Sequence, residues 1–388
     1  MYIKKIELIN FRNYEKQTIE LGENINIFFG NNAQGKTNIV ESIFLCSFGK
    51  SYRTNKDKEL IKLDKNKLQV KIDYQKEDRD GTIKVEIDEK KYIYNNNIKI
   101  KKLSEILGKI NIVLFNPDDI NLFKEGPSNR RRMLDIMIGQ LRPSYVYNLN
   151  LYLKTLEQRN NYLKQIKFEN KDSKLLEIWD EKLAEYAEKI YIYRKEFIEK
   201  ISNKIPAIHE KITENQEKIR IEFNSDCESK ENYLKMLKKE QKNDILKGYT
   251  GRGIHKDDFS IFINDKKLNI YGSQGQHRTV ILSLKMCELE IIKEETGENP
   301  ILLLDDFMSE LDSKRRNSFL KNMENTQIII TCTEKLIIEN SKSNFFDVCN
   351  GKVQNKDWLL EVYKYIITNE KITKSKTYKE ETHGKSKK

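Results

Sequence analysis

Gly30-Asn31-Asn32-Ala33-Gln34-Gly35-Lys36-Thr37 has the residue types and spacing of a phosphate cradle. Glycines near both ends let backbone N–H groups curl around an anion at a helix N-terminus. The run lies between a strand-like segment, Ile25–Phe29, and a stretch whose apolar residues Ile39, Ile43 and Phe44 recur with helical period. In a GxxxxGK[ST] loop the lysine, here Lys36, reaches the β- and γ-phosphates of a nucleoside triphosphate, and the hydroxyl, here Thr37, ligates Mg²⁺. ATP with Mg²⁺ is therefore the expected occupant, and Lys36 is expected to take part in its chemistry.

A second acidic element lies far downstream. Ile301-Leu302-Leu303-Leu304-Asp305-Asp306 reads as a buried strand whose tip delivers Asp305 to the same Mg²⁺. Asp306 then stands where a carboxylate can orient or deprotonate an attacking water. Ser273-Gln274-Gly275-Gln276 lies between the two at a helix start. Ser273, Gly275 and Gln276 offer a hydroxyl, unobstructed N–H groups and an amide to an anion, although Ser273 taken alone is simply an N-cap. Ser309 to Asp312 (SELD) and Thr331 to Thr333 (TCT) follow. Phosphate loop, SxGQ, apolar-DD and SELD in this order is the arrangement of an ABC-type ATPase head. In that class the SxGQ segment of one subunit completes the ATP site of another, so an ATP-dependent homodimer is expected.

These residues need elements to hold them. Strands are expected at Ile3–Ile9, Lys16–Leu21, Ile25–Phe29, Leu68–Tyr74, Thr82–Asp88, Lys91–Tyr94 and Ile110–Phe115. From Pro127 to about Leu246 the sequence is helical in pattern, Lys/Glu-rich and nearly free of glycine. Tyr145, Leu149, Tyr152, Leu156 and Leu163 form one apolar seam. Leu176, Trp179, Leu183, Tyr186, Ile190, Tyr193, Phe197 and Ile201 form another, with the alternating steps of three and four of a coiled coil. The polar stretch 167–173 between them predicts an antiparallel hairpin, and Pro206 predicts an end or a kink. Strands return at Phe259–Ile263 and Leu268–Tyr271; a helix follows SQGQ, then the 301–306 strand, a helix around Arg315–Met323 and the strand leading into TCT. The expected fold is α/β, an ABC-type head with a P-loop sheet lobe and an inserted α-helical domain carrying a short antiparallel coiled-coil hairpin. Its expected divisions are 1–126, 127–247, 248–354 and a basic, disordered extension, 355–388.

The formal net charge of +11 is an excess over 60 Asp and Glu in 388 residues, and it favours a polyanionic partner, although Lys-rich composition alone produces the same sign. Arg130, Arg131 and Arg132 are the local candidates for DNA phosphates. Consecutive helical positions differ by about 100°, so the three cannot all face one strand, and at least one is expected to pack internally or to pair with Asp135. Five scattered cysteines without CxxC spacing read as reduced thiols of a cytoplasmic protein. No stretch approaches the roughly 20 apolar residues of a membrane-spanning helix.

Asn10 to Tyr14 (NFRNY), the phosphate loop and its helix, Lys50 to Arg53 (KSYR), Phe115 to Ile120 (FNPDDI), Gly126 to Asp135 (GPSNRRRMLD), Tyr152 to Lys164, Tyr271 to Thr279 and Leu302 to Asp312 together resemble the RecF family, over residues 1 to about 354. The family's GPHRDD element stands here as Gly253 to Asp258, with Ile254 and Lys256 in place of proline and arginine. The resemblance implies a slow, DNA-stimulated ATPase whose ATP-bound dimer clamps gapped or junction DNA. It further implies partnership with RecR and RecO in loading the RecA recombinase, and support of replication, repair and the SOS response. Likeness to SMC/Rad50-type heads implies a phosphate contact for Arg12. Three other readings stand beside it: an SMC/Rad50-like protein, a transporter-type ATPase subunit and a nucleotide-gated scaffold without turnover. The insertion is too short for the first, SQGQ and Asp306 depart from the second, and phosphate release separates the third.

Overall fold

The computed structural model describes residues 1–214, 216–307, 319, 323, 325–333 and 343–356. Strand β3 (Ile25–Phe29) is buried at all five positions, as a strand covered on both faces must be. The same holds for β8 (Ile112–Phe115), β12 (Ile301–Asp305) and β13 (Ile328–Cys332). With β14 (Ser343–Cys349) and β15 (Lys352–Lys356) they form a six-stranded sheet in the order β15-β14-β3-β13-β12-β8, parallel except for the β14–β15 hairpin. Because β3, β12 and β13 run the same way, the residues that follow them emerge along one edge. That edge receives the phosphate loop, Asp305 and Thr331.

A second, antiparallel sheet is built from β1 (Tyr2–Phe11), β2 (Tyr14–Glu20), β4 (Leu68–Lys76), β5 (Arg79–Ile87), β6 (Lys91–Asn95) and β7 (Ile98–Lys99), in the order β2-β1-β4-β5-β6-β7. Its strands alternate buried and partly exposed residues, so one face is dry and the other wet. Helix α1 (Lys36–Phe48) lies between the two sheets with 11 of its 13 residues buried, and its apolar side chains share one core with both. A helix that is apolar nearly all round is held in place from every side, and α1 is the helix that the phosphate loop opens.

The helical region consists of α2 (Pro127–Leu141), α3 (Pro143–Glu169), α4 (Leu176–Thr213) and α5 (Lys230–Lys247). Tyr145 meets Tyr193 and Arg194, Arg159 meets Asp180, and Tyr162 meets Trp179, so α3 and α4 form an antiparallel hairpin. Arg159, fully buried, bridges Asp180 of α4 and Asp244 of α5 at 2.6 and 2.8 Å. Helix α4 runs through Pro206 to Thr213. Proline removes one helical N–H, but Ile201, Ile205 and Ile208 are buried on either side and keep the last turns docked.

Two other expectations change. Ile219–Asn224, in the stretch read as helical, is strand β9 and pairs antiparallel with β10 (Asp258–Ile263). Leu268–Tyr271, read as a strand, is a single helical turn, α6, after the two-residue strand β11 (Lys266–Lys267). Short apolar runs carry too little periodicity to separate the two states. The helical region also shares its core with β9, β10 and the long helix α7 (Gln274–Thr296). All five cysteines are free thiols, four of them buried. Among the described residues no helix is long and apolar enough to cross a membrane. SELD, most of the helix expected around Arg315–Met323 and the extension beyond residue 356 lie outside the described residues.

Candidate nucleotide site

The phosphate loop turns back through three left-handed residues, Gly30 (φ 146°), Ala33 (φ 64°) and Gly35 (φ 116°). A side chain at Gly30 would meet the Val348 carbonyl at 2.4 Å, and one at Gly35 would meet Asn13 at 2.6 Å, so backbone angle and close packing both require glycine there. Two residues of the NFRNY stretch brace the loop from behind. Asn13 Nδ2 donates to the Gln34 carbonyl at 2.8 Å and Tyr14 Oη to the Gly35 carbonyl at 3.0 Å. Gln34 Oε1 in turn accepts from the Asn350 N–H. Lys36, almost fully buried, folds its ammonium over the loop onto the carbonyls of Gly30 and Asn31, at 2.8 and 2.9 Å.

Thr37 and Asp305, 268 positions apart, meet at the mouth of this loop: Thr37 Oγ1 donates to Asp305 Oδ1 at 3.0 Å. Thr331 Oγ1 donates to the same oxygen at 2.8 Å, and Tyr52 Oη donates to Oδ2 at 2.9 Å. Three hydroxyls thus fix a carboxylate that is 3% exposed, and burial beside Asp305 pushes the Tyr52 phenol well above its ordinary value. A threonine hydroxyl beside a carboxylate is a hard-oxygen pair of the kind Mg²⁺ selects. Among the described residues no group of three His, Cys, Asp or Glu could hold a metal by itself, so this pair fits an ion that takes its other ligands from phosphates and water.

Asp306 follows in the left-handed region (φ 49°), its N–H donated to Thr331 Oγ1 at 3.0 Å. Its carboxyl is raised above the ordinary range, chiefly by burial; Lys36 opposes the shift and Asp305 adds to it. The loop, the metal pair and the candidate base therefore converge on one sheet edge.

The RecF/RecN/SMC N-terminal domain model matches residues 2–355. The DNA replication and repair protein RecF of Clostridium perfringens is 44% identical over 365 residues, which is 91% of this chain and 100% of that protein. The chain belongs to the RecF family. A solved structure of the recombination mediator protein RecF with ATP, in the RecFOR pathway, is 40% identical, covers 92% of this chain and 97% of that one, and superposes with a TM-score of 0.86. An Smc head domain from Pyrococcus furiosus has a TM-score of 0.54 at 19% identity, covering 95% and 99% of the two chains, and so shares the fold. The α/β head architecture expected from the motifs is thus that of RecF and SMC ATPase heads.

In this RecF-family head the SxGQ segment stands apart from the phosphate loop, with no hydrogen bond between them among the described residues. Ser273 caps α7 in a reciprocal box: its Oγ accepts from Gln276 N at 3.2 Å, and Gln276 Oε1 accepts from Ser273 N at 2.9 Å. The cap uses a lone pair of Ser273 and leaves its hydroxyl hydrogen for another acceptor. Ser273, Gln274 and Gly275 are exposed, and no acidic residue lies in the first turn, so the positive end of a 23-residue helix faces outward.

The arginine run divides as helix geometry requires, with a different partner from the one expected. Arg130, 6% exposed, forms a two-pronged pair with Asp258 at 2.7 and 3.0 Å and also donates to the Leu122 and Glu125 carbonyls. Asp135 instead serves Arg194 and Tyr145. Arg131 donates to the Asp257 carbonyl, and Arg132 is the exposed member of the run, donating to the Tyr52 carbonyl at 2.9 Å. Arg12, given a phosphate contact by likeness to SMC/Rad50-type heads, grips the fully buried Glu41 with two hydrogen bonds at 2.9 and 2.7 Å. Sequence reading missed Asn13, Tyr14, Tyr52 and Thr331 as parts of the site. All four lie in stretches singled out for other reasons, but a polar side chain, in a turn or on a strand, carries no signal of the distant partner it will meet.

Proposed function

We propose that this protein is an ATP-driven, DNA-binding switch of recombinational repair and replication. Two copies sandwich two ATP molecules, each between Gly30–Thr37 of one copy and Ser273, Gly275 and Gln276 of the other. The observation that carries the reading is the division of the nucleotide-binding parts. Thr37, Asp305 and Asp306 converge at one site, while among the described residues no hydrogen bond joins the outward-facing cap of α7 to the phosphate loop of its own chain. A two-fold pair of copies satisfies both surfaces at once. The relatives' role in DNA replication and repair, and the ATP in the solved RecF, support the choice of ligands.

In this reading the loop N–H groups and Lys36 bind the phosphates, and Thr37 and Asp305 hold Mg²⁺, which when bound neutralises charge on the β- and γ-phosphates. Asp306 orients and deprotonates the attacking water. The γ-phosphate completes contacts that ADP does not make, so hydrolysis releases the partner copy and the DNA. Gapped or junction DNA, slow DNA-stimulated turnover, work with RecO and RecR toward RecA loading, and support of the SOS response complete the proposal. Light scattering with ATP, ADP or no nucleotide tests it, alongside retention of gapped DNA. ATP with Mg²⁺ should give dimers that retain DNA, Lys36→Ala should lose both, and Ser273→Arg should keep monomer ATP affinity while losing the dimer. A wild-type protein that stays monomeric in saturating ATP, Mg²⁺ and DNA would refute the sandwich.

A further inference from the structure

The cap of α7 is tied to a second element. A capping box needs only Gln276 Oε1, yet the other end of that side chain is also engaged, Nε2 donating to Glu217 Oε1 at 2.8 Å. The second oxygen of Glu217 lies 3.2 Å from His209 Nε2, and His209 Nδ1 lies 2.9 Å from Ser283 Oγ on α7. Ser283 donates to the Thr279 carbonyl and Thr279 to the Gly275 carbonyl, at 2.8 and 2.9 Å. The hydrogen-bond chain leaves the SxGQ segment at Gln276, crosses to α4 and returns at Gly275.

His209 is fully buried and sits in the last two turns of the 38-residue α4. The same helix holds Asp180, paired with Arg159, and Arg194, paired with Asp135 and Asp257 at 2.9 and 2.8 Å. A buried imidazole is a costly filler unless its nitrogens are satisfied. Here one nitrogen points back to α7 and the other to the carboxylate that orients Gln276. Packing alone would be served by an apolar side chain at 209; a polar tether reaching the exposed cap fixes direction.

We propose that Glu217 and His209 are positioning residues for the SxGQ segment, holding it to α4, the longer helix of the arm formed by the α3–α4 hairpin, in the orientation from which it meets a partner copy's nucleotide. The inference rests on the proposed role of Ser273 and Gly275 across the dimer. Displacement of the arm then reaches the nucleotide interface through α4, a rigid element shared by both.

The test uses the full chain and sedimentation velocity with ATP and Mg²⁺. Glu217→Ala should weaken ATP-driven dimerisation about tenfold, within the usual range of coupling, with monomer ATP affinity unchanged. Glu217→Gln should dimerise like wild type, because its amide oxygen still accepts from Gln276 while its NH₂ donates to Nε2 of a neutral His209. His209→Leu fills the buried site with an apolar side chain but cuts the tether, so it should weaken the dimer in the same direction, and it remains decisive if the alanine variant fails to fold. Wild-type dimerisation by Glu217→Ala, or by a folded His209→Leu, would overturn the positioning role while Ser273→Arg still blocks the dimer. Normal dimerisation by Ser273→Arg would instead sink the sandwich reading beneath it.

Discussion

At the scale of single residues, Thr331 shows how the site is assembled. Its one hydroxyl donates to the Asp305 carboxylate and accepts from the Asp306 N–H, so it fixes one carboxylate and the backbone of the next residue at once. It also holds Asp306 in a left-handed conformation, which disfavours a non-glycine residue by roughly 1–2 kcal/mol. Strain of that kind persists where surrounding contacts impose it. Asp306→Asn keeps the shape and removes the base, so ATP should still bind while turnover falls about 100-fold, measured as phosphate release. Wild-type turnover should carry the sign of a base whose pKa is raised by burial. It is full where Asp306 is ionised and is lost as pH falls through a value above the ordinary carboxylate range. Asparagine should erase that limb of the pH profile, and an unaltered profile would move the role of base to another group.

At the scale of elements, the α3–α4–α5 arm is pinned by charge as well as by its apolar seam. Arg159 is buried between Asp180 and Asp244, whose side chains are 6% and 2% exposed. Arg159→Met leaves two carboxylates without their cation in a dry setting, and removing one partner of such a cluster costs about 3–5 kcal/mol. Chemical denaturation should show that loss, and a loss below about 1 kcal/mol, the size of a surface pair, would mean that water reaches the cluster. Of the seam read from the sequence, Leu176, Leu183, Ile190, Phe197 and Ile201 are buried and Trp179, Tyr186 and Tyr193 are partly buried against the core, while Ala184, Ala187 and Arg194 are buried beside them. A helix packed against α3, α5, α7 and β9 buries more than one stripe, and a single seam does not describe it.

At the scale of the whole molecule, the net charge of +11 favours a polyanionic partner, and the number of phosphate contacts sets how the proposed DNA binding responds to salt. Affinity should fall linearly with salt on logarithmic axes, each phosphate contact adding about 0.9 to the slope. Arg132→Ala should flatten that slope by about one unit. Arg130→Ala should leave the slope alone and act on stability, because it strips Asp258 of its partner. The two variants, titrated over several salt concentrations by fluorescence anisotropy, separate a surface contact from an internal tie. Equal slopes for Arg132→Ala and wild type would place the DNA path on another face.

What the sequence determined by itself was the chemistry that local spacing encodes. Gly30 to Thr37, the apolar run ending in Asp305 and the serine opening α7 each depend on neighbours a few positions away, so the loop before a helix, the strand tip and the N-cap were legible in order along the chain. The buried strands were legible as well, because a parallel strand covered on both faces reads as a nearly continuous apolar run. Tertiary structure alone decided the long-range polar pairs. Arg130 took Asp258, 128 positions away, in place of the nearby Asp135, and Glu217 reached Gln276 across 59 positions. Hydrogen-bond partners are chosen by which buried groups the fold brings within about 3 Å, and nothing in the local sequence of either partner records that distance. The same holds for β9 and for Leu268–Tyr271. A short run that mixes apolar and polar residues carries too little pattern to choose a state, and β10, which pairs with β9 and packs against Leu268–Tyr271, made the choice.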